Sequence, residues 1–235
     1  MSQNPFDAPK VPLQGPSFPA ATGRIDVGAA LSGGWQLTKE NFFTWLGVYF
    51  VGILLVVLSA ALFIVPVFVV GPAIAYGFVY YHLECYEGRG EFKNLFEGFN
   101  RLGPAVGGFL ALILVYVLIG LPGQALQAVG QQTENPLISL VGVALGLVVG
   151  IVGLRWYFAP YFIVDQGFGG FEAIKASWRA TQGSWLNLFL FALAATLLIF
   201  VGVLLLIVGA IPASATMSFG IVVAYRQLVG ETASA

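Results

Sequence analysis

The chain has 235 residues, of which 58% are apolar and 9% are charged, and its formal net charge is −1. Soluble domains carry about 25% charged residues. The composition therefore excludes an ordinary water-soluble globular protein and predicts an integral membrane protein.

Long uncharged stretches predict six transmembrane helices. Residues 42–83 carry no charge when His82 is neutral, and residues 180–225 carry none. Each stretch is about twice the ~20 residues that one spanning helix requires, so each predicts a helical hairpin. Residues 102–133 and 135–154 supply a third pair, with a polar stretch at 124–135. The runs are continuously apolar, whereas strands of a membrane barrel alternate. The predicted spans are Phe42 to Val65, Val70 to Tyr86, Gly103 to Leu121, Leu137 to Tyr157, Leu186 to Ile207 and Ile211 to Gln227.

The distribution of cations predicts the orientation. All ten Lys and Arg residues lie on one side of this pattern of spans. The three loops on the other side carry no cation, and Glu134 is the only charge there. By the positive-inside rule, both termini are expected in the cytoplasm, and the protein in the inner membrane of a bacterium.

The predicted domain plan is one membrane domain, residues 25–230, between two tails. Residues 1–24 are rich in Pro and Ser and lack an apolar core, which predicts a disordered cytoplasmic tail rather than a signal peptide. Residues 231–235 are predicted to form a short C-terminal tail.

Three segments on the cytoplasmic side have the apolar spacing of amphipathic surface helices. They contain Phe92, Leu95, Phe96 and Phe99 in the first, Phe171, Ile174 and Trp178 with the adjacent Arg179 in the second, and Val27, Leu31 and Trp35 in a weaker third. Each segment precedes an outward span. The predicted fold is therefore all-α and polytopic, with six transmembrane helices in three hairpins, each preceded by an interfacial amphipathic helix.

The recurring order of segments predicts three repeats, at residues 25–88, 91–166 and 170–228. Units of two spans share one orientation, so a symmetry axis would run along the membrane normal. Convergence explains the pattern equally well, because any hairpin entered from a membrane-surface helix acquires it.

Two stretches carry a resemblance to a known family. GPAIAYGFVYYHLECYEGRGEFKNLFEGF and RWYFAPYFIVDQGFGGFEAIKASWRATQG resemble a large bacterial group of six-span membrane proteins, which is related to the membrane domain attached to some glycerophosphoryl diester phosphodiesterases. The resemblance covers residues from about Ile25 to Leu228. The matching positions are Arg155, Pro160, Asp165, Ala173, Ser177, Trp178 and Arg179. It implies a fold and no activity, because fold does not determine function.

Glycines mark two further candidate sites. A stripe on the fourth span predicts close approach of a neighbouring helix. It consists of Gly142, Gly146, Gly150 and Gly153. Gly169 and Gly170 precede a predicted helix N-terminus and, with Arg155, are candidates for binding an anion or a lipid headgroup. A flexible turn is the competing interpretation of these two glycines.

No catalytic motif is visible. The sequence has no Gly-x-Ser-x-Gly, no His-Glu-x-x-His and no phosphate-binding loop. His82, Glu84 and Cys85 do not converge on one helix face, so we predict no metal site, no cofactor and an interfacial role for His82. The hydroxyl groups within the spans are Ser59, Tyr76, Tyr116, Thr196, Thr216 and Ser218, and such groups usually bond to their own helix.

Three classes of function remain. The first prediction is a non-enzymatic scaffold or accessory protein that organises a protein partner or anionic membrane lipids at the cytoplasmic face. The alternative is a transporter or channel for a neutral or lipidic substrate. A membrane-embedded enzyme ranks last, since no acid, base, nucleophile or metal set converges. A cavity lined by span hydroxyls would favour transport, and a solid glycine-packed bundle would favour the scaffold. No nucleic-acid partner is expected, and the sequence leaves the oligomeric state open.

Overall fold

The computed structural model describes residues 23–62, 64–204 and 209–229. Apart from Gly23 and Arg24, the two predicted tails lie outside the described residues. The described part is all-α and contains no strand, which confirms the predicted class.

Nine α-helices and two 3₁₀ turns make up the described part. The helices are α1 (Val27–Leu62), α2 (Ile64–Tyr86), α3 (Glu97–Asn100), α4 (Leu102–Gln132), α5 (Pro136–Gly153), α6 (Ala159–Gln166), α7 (Gly170–Ala180), α8 (Trp185–Leu204) and α9 (Ala210–Val229). The 3₁₀ turns, Phe92–Phe96 and Leu154–Trp156, precede α3 and α6.

Four helical stretches of the described residues are long and apolar enough to cross a membrane. They are Val27–Ala61, Leu102–Gln132, Pro136–Gln166 and Trp185–Leu204. The shortest has 20 residues, which at 1.5 Å per residue corresponds to about 30 Å, the thickness of a bilayer core. The predicted second and sixth spans are occupied by α2 and α9, which are helical but outside this group of four.

Helices that follow one another in the chain pack together, as α1 with α2, α4 with α5, and α8 with α9. In addition, α9 runs antiparallel along the first half of α1. Asp26 begins α1 by accepting a hydrogen bond from the Ala29 backbone at 2.9 Å, and its own N–H donates to Gln227 near the end of α9. A Cβ at Gly34 would lie only 2.7 Å from the Gly220 nitrogen, so the two helices touch through their backbones.

The weaker amphipathic segment, with Val27, Leu31 and Trp35, is not a separate helix. It is the beginning of α1, which continues without interruption into the first predicted span. Residues 36–41 contain no Gly or Pro that would end a helix. The prediction of an interfacial helix separate from the first span is therefore wrong for this segment.

The polar stretch at 124–135 is also largely helical, because α4 continues to Gln132. The chain turns at Glu134, which has a positive φ of 49°. Asn135 then caps α5 by accepting hydrogen bonds from Leu137 and Ile138 at 3.1 and 3.4 Å. The loop between the third and fourth predicted spans is thus confined to a few residues.

The segment with the Phe92 to Phe99 spacing forms a 3₁₀ turn followed by the four-residue α3, rather than one α-helix. Its backbone lies directly on α2. A Cβ at Gly77 would overlap the carbonyl oxygen of Leu95, and one at Gly98 would overlap that of Ala73. The chain therefore folds back along α2 after leaving it at Tyr86.

Candidate functional site: an aromatic cavity between the helices

A cavity of about 370 Å³ lies where α1, α2, α4, α6 and α9 meet. We call it the central cavity. All three predicted units contribute to its wall. Its polar groups come from Tyr49, His82, Tyr116, Tyr157, Tyr161 and Ser218, and its apolar surface from Phe78, Val79, Leu112, Trp156, Pro160 and Ile221. The described lining residues include no Asp, Glu, Lys or Arg, so the cavity suits an uncharged molecule.

A directed chain of hydrogen bonds crosses one side of the central cavity. Ser218 donates to the carbonyl of Ser214 at 2.9 Å, which uses its only proton. The Tyr49 hydroxyl, 3.2 Å away, must therefore donate to Ser218. Its oxygen can then accept from Nε2 of His82 at 3.4 Å. This series of hydrogen bonds joins α2, α1 and α9. In it, a neutral His82 carries its proton on Nε2.

Stacked rings fix the position of Tyr49 within this chain. Its ring lies between those of Trp45 and Phe78, with centroid distances of 4.4 and 4.5 Å. On the opposite wall, Tyr116 meets Trp156 edge-on at 5.7 Å. These contacts hold the aromatic walls in defined orientations.

An ion-pair cluster lies beyond one end of the central cavity. Arg226 on α9 bonds Glu87 just after α2 at 2.8 Å and Asp165 on α6 at 3.3 Å. The Tyr225 hydroxyl also donates to Asp165, at 2.8 Å. These residues follow the lining residues of the same elements by four or five positions, about one helical turn. The cluster therefore ties together the ends of three elements that form the cavity.

Glu84 and Cys85 do not share a site with His82. His82 is buried against Tyr49, whereas Glu84 binds the Arg89 guanidinium at 3.0 Å and Cys85 packs against Gly90. Hydrogen bonding to Glu84 raises the pKa of Arg89 above its usual value. His82 is thus buried among the helices near the end of α2.

The first predicted partner surface is divided between core and exterior. Leu95 is fully buried and Phe99 packs against the core, while Phe92 and Phe96 remain 41% and 39% exposed. The nearby cations have carboxylate partners, Lys93 with Glu91 at 2.7 Å and Arg101 with Glu97 at 3.3 Å.

The second predicted surface lies on α7, which packs on the bundle through small residues. Gly170, Ala173 and Ser177 are its buried positions, and Gly170 approaches the backbone of Gly108 on α4. Phe171 is 58% exposed and Arg179 is exposed, while Ile174 and Trp178 are half-buried. The aromatic face of α7 therefore points away from its contact with α4.

The structure separates the candidates for anion binding. Arg155 lies over the Trp178 ring, 3.7 Å from its centroid, and donates to the Trp178 carbonyl at 2.9 Å, at the C-terminal end of α7. Gly169 and Gly170 are at the other end of this 11-residue helix, about 15 Å away at 1.5 Å per residue. The Gly169 N–H is directed to Glu172.

The glycine stripe of α5 faces α4, but its four glycines differ in how closely their neighbours approach them. A Cβ at Gly142 would lie 2.7 Å from the Gln127 nitrogen and 2.8 Å from the Gly123 oxygen, so the backbones touch there. Gly146 and Gly153 have looser neighbours at 3.8 and 3.4 Å, and Gly150 has nothing within 4 Å. The last three line a second cavity of about 490 Å³ between α4 and α5.

These features define an all-α protein with helices suited to a membrane and a cavity at the junction of its helices. Comparisons with protein-family models, curated proteins and solved structures found no match to the chain. The resemblance to the six-span bacterial group remains a prediction from the quoted residues.

Proposed function

We propose that the protein is a transporter or channel whose central cavity takes up a neutral or lipidic molecule. The observation that carries this proposal is the wall of that cavity, which combines hydroxyl groups, one imidazole and aromatic rings with no charged side chain. Its volume of about 370 Å³ lies in the range of small-molecule sites. Two of the span hydroxyls, Tyr116 and Ser218, belong to this wall.

The proposal predicts saturable binding of an uncharged amphiphile next to Trp156. Methyl 12-bromododecanoate serves as the probe, because its bromine quenches tryptophan fluorescence on close approach. In the purified protein we expect a saturable quenching component that Trp156→Phe reduces. Trp185→Phe should retain its full amplitude, since Trp185 is 51% exposed and does not line the cavity. Quenching without saturation, or a saturable component of equal amplitude in Trp156→Phe and the unaltered protein, contradicts the proposal.

A scaffold or accessory protein is the second candidate function. Three large aromatic side chains support it, because Phe92, Phe96 and Phe171 remain exposed although their neighbours are packed. In a chain of this composition, exposed aromatic residues beside charged ones suit a membrane interface or a protein partner. The surface that includes Trp178 and Arg179 would then hold the partner or anionic lipids.

We further propose that six helices span the inner membrane of a bacterium, with both termini in the cytoplasm. All ten Lys and Arg residues lie on the predicted cytoplasmic side of the spans and none lies on the other side, which supports this orientation. The fully buried positions on α2 and α9 suit spans that other helices surround rather than lipid.

Single cysteines test both the orientation and the partner surface. In a Cys85→Ser background, an impermeant thiol reagent should label Thr133→Cys in intact cells but not Lys93→Cys. Both positions are exposed and lie outside the long helices. Reversed labelling would refute the orientation.

If a partner covers the surface beside Lys93, labelling there should be weaker in inside-out vesicles than in purified protein. Equal labelling of Lys93→Cys in the vesicles and in the purified protein would show that no partner covers this surface.

A further inference from the structure

Four polar groups that line the central cavity have hydrogen-bond partners in the protein. Ser218 donates to Ser214, Tyr49 to Ser218, and His82 to Tyr49. On the opposite wall, Tyr116 donates to the carbonyl of Gly153 at 3.2 Å. These groups satisfy one another or the backbone, and none of their protons is left for a ligand.

Tyr161 differs from these groups. It lines the cavity and is only 5% exposed, yet no group in the described part of the chain accepts the proton of its hydroxyl. Three side-chain atoms of the described residues are completely sealed without a partner, and the Tyr161 oxygen is not one of them. Its hydroxyl therefore opens into the cavity. A buried hydroxyl without a partner is unfavourable, so a molecule in the cavity that accepts its proton gains a hydrogen bond.

The position of Tyr161 is fixed by its surroundings. Its ring packs against Tyr225 at 5.2 Å and Phe158 at 6.4 Å, and the adjacent Pro160 lies in the first turn of α6. The nearby Tyr157 also lines the cavity but is 38% exposed, so its hydroxyl can be solvated without a ligand. Tyr161 is thus a pre-positioned hydrogen-bond donor in the cavity wall.

We infer that the central cavity selects uncharged, lipid-soluble molecules that carry a hydrogen-bond-accepting oxygen, such as an ester or ketone carbonyl, and that Tyr161 recognises this oxygen. The inference rests on the proposed function, because it names the class of molecule that the cavity takes. The ligand's apolar body would lie against the aromatic and aliphatic part of the wall. Ionised molecules are excluded because the described lining holds no countercharge.

Two matched probes test the inference. Methyl 12-bromododecanoate has an ester oxygen, and 1-bromododecane has the same kind of chain without one; binding of each is followed through quenching of Trp156. In Tyr161→Phe, the dissociation constant of the ester should rise by about 3- to 10-fold, the loss of one hydrogen bond. The bromoalkane should bind as it does to the unaltered protein. Tyr80→Phe removes a hydroxyl from α2 outside the cavity and should change neither constant.

The outcomes separate the two proposals. If the unaltered protein binds neither probe next to Trp156, the proposed function fails and the inference fails with it. If it binds the probes but Tyr161→Phe leaves the ester unaffected, or weakens both probes equally, the cavity is a binding site and the role of Tyr161 is overturned. A selective loss of the ester supports the inference even when the variant is less stable, because both probes are measured on the same protein.

Discussion

Replacing Gly77 with Ala should destabilise the protein by about 3 kcal/mol, the upper part of the range for overpacking. The added Cβ would overlap the carbonyl oxygen of Leu95, a backbone atom that cannot rotate away. The 3₁₀ turn and α3 would have to move off α2, which would expose Leu95 and the buried Asn94. The free energy of unfolding, measured by titrating the detergent-solubilised protein with sodium dodecyl sulfate, checks this expectation.

Gly107→Ala is the matched control, because Gly107 is an exposed position inside α4 and an added Cβ there meets nothing within 4 Å. In a helix interior, Ala is favoured over Gly by up to about 1 kcal/mol, so this variant should be unchanged or slightly more stable. Equal losses in the two variants would show that the backbone contact between α2 and Leu95 is absent in solution.

The sequence predicted where the helices lie better than where they end. The apolar runs of α5 and α8 allow no other structure in a bilayer, since every backbone group must be satisfied within the segment. The ends of α1 and α4 were misplaced because the prediction relied on hydropathy, whereas helices continue through polar residues when no Gly or Pro interrupts them. Residues 36–41 are of this kind, whereas α4 continues even through Pro122, Gly123 and Gly130 to Gln132.

The packing faces could be predicted only in part. The spacing of Phe92 to Phe99 and of Phe171 to Trp178 identified apolar stripes, but small residues determine which side of each segment touches the bundle. Gly98 and Gly170 allow backbone contacts that a larger side chain would prevent. The aromatic residues are therefore displaced towards the exterior, where Phe171 is the most exposed of them.

The central cavity could not be derived from the sequence, because its polar groups come from distant parts of the chain. Tyr49 and His82 of the first predicted unit meet Ser218 of the third only after the helices have packed, and none of the three has a distinctive local pattern. The expectation that span hydroxyls bond to their own helix holds for Thr196, which donates to Ala192, and for Thr216, which donates to Pro212. Ser218 also bonds to its own helix, and in addition it accepts a hydrogen bond from Tyr49. The general rule does not predict this second contact.

Replacing Arg226 with Gln should lower the free energy of unfolding by about 2 kcal/mol. The Arg226 side chain is 14% exposed and neutralises both Glu87 and Asp165, whose side chains are 35% and 20% exposed. Its loss leaves Asp165 without a cationic partner, and Glu87 with only Arg89. The cost should lie between that of an exposed pair, at most about 1 kcal/mol, and that of breaking a buried pair, about 3 to 5 kcal/mol.

Removing the carboxylates as well distinguishes repulsion from lost packing. In Arg226→Gln with Glu87→Gln and Asp165→Asn, we expect more than half of the lost stability to return, because no unpaired charge remains. Lys175→Gln is the control for charge alone, since Lys175 is exposed and has no ion-pair partner among the described residues; it should stay within about 0.5 kcal/mol of the unaltered protein. A triple variant no more stable than Arg226→Gln would mean that Arg226 acts through its contacts with the Tyr86 and Tyr225 rings instead. Recovery would establish that charge neutralisation holds the ends of α2, α6 and α9 together beside the central cavity.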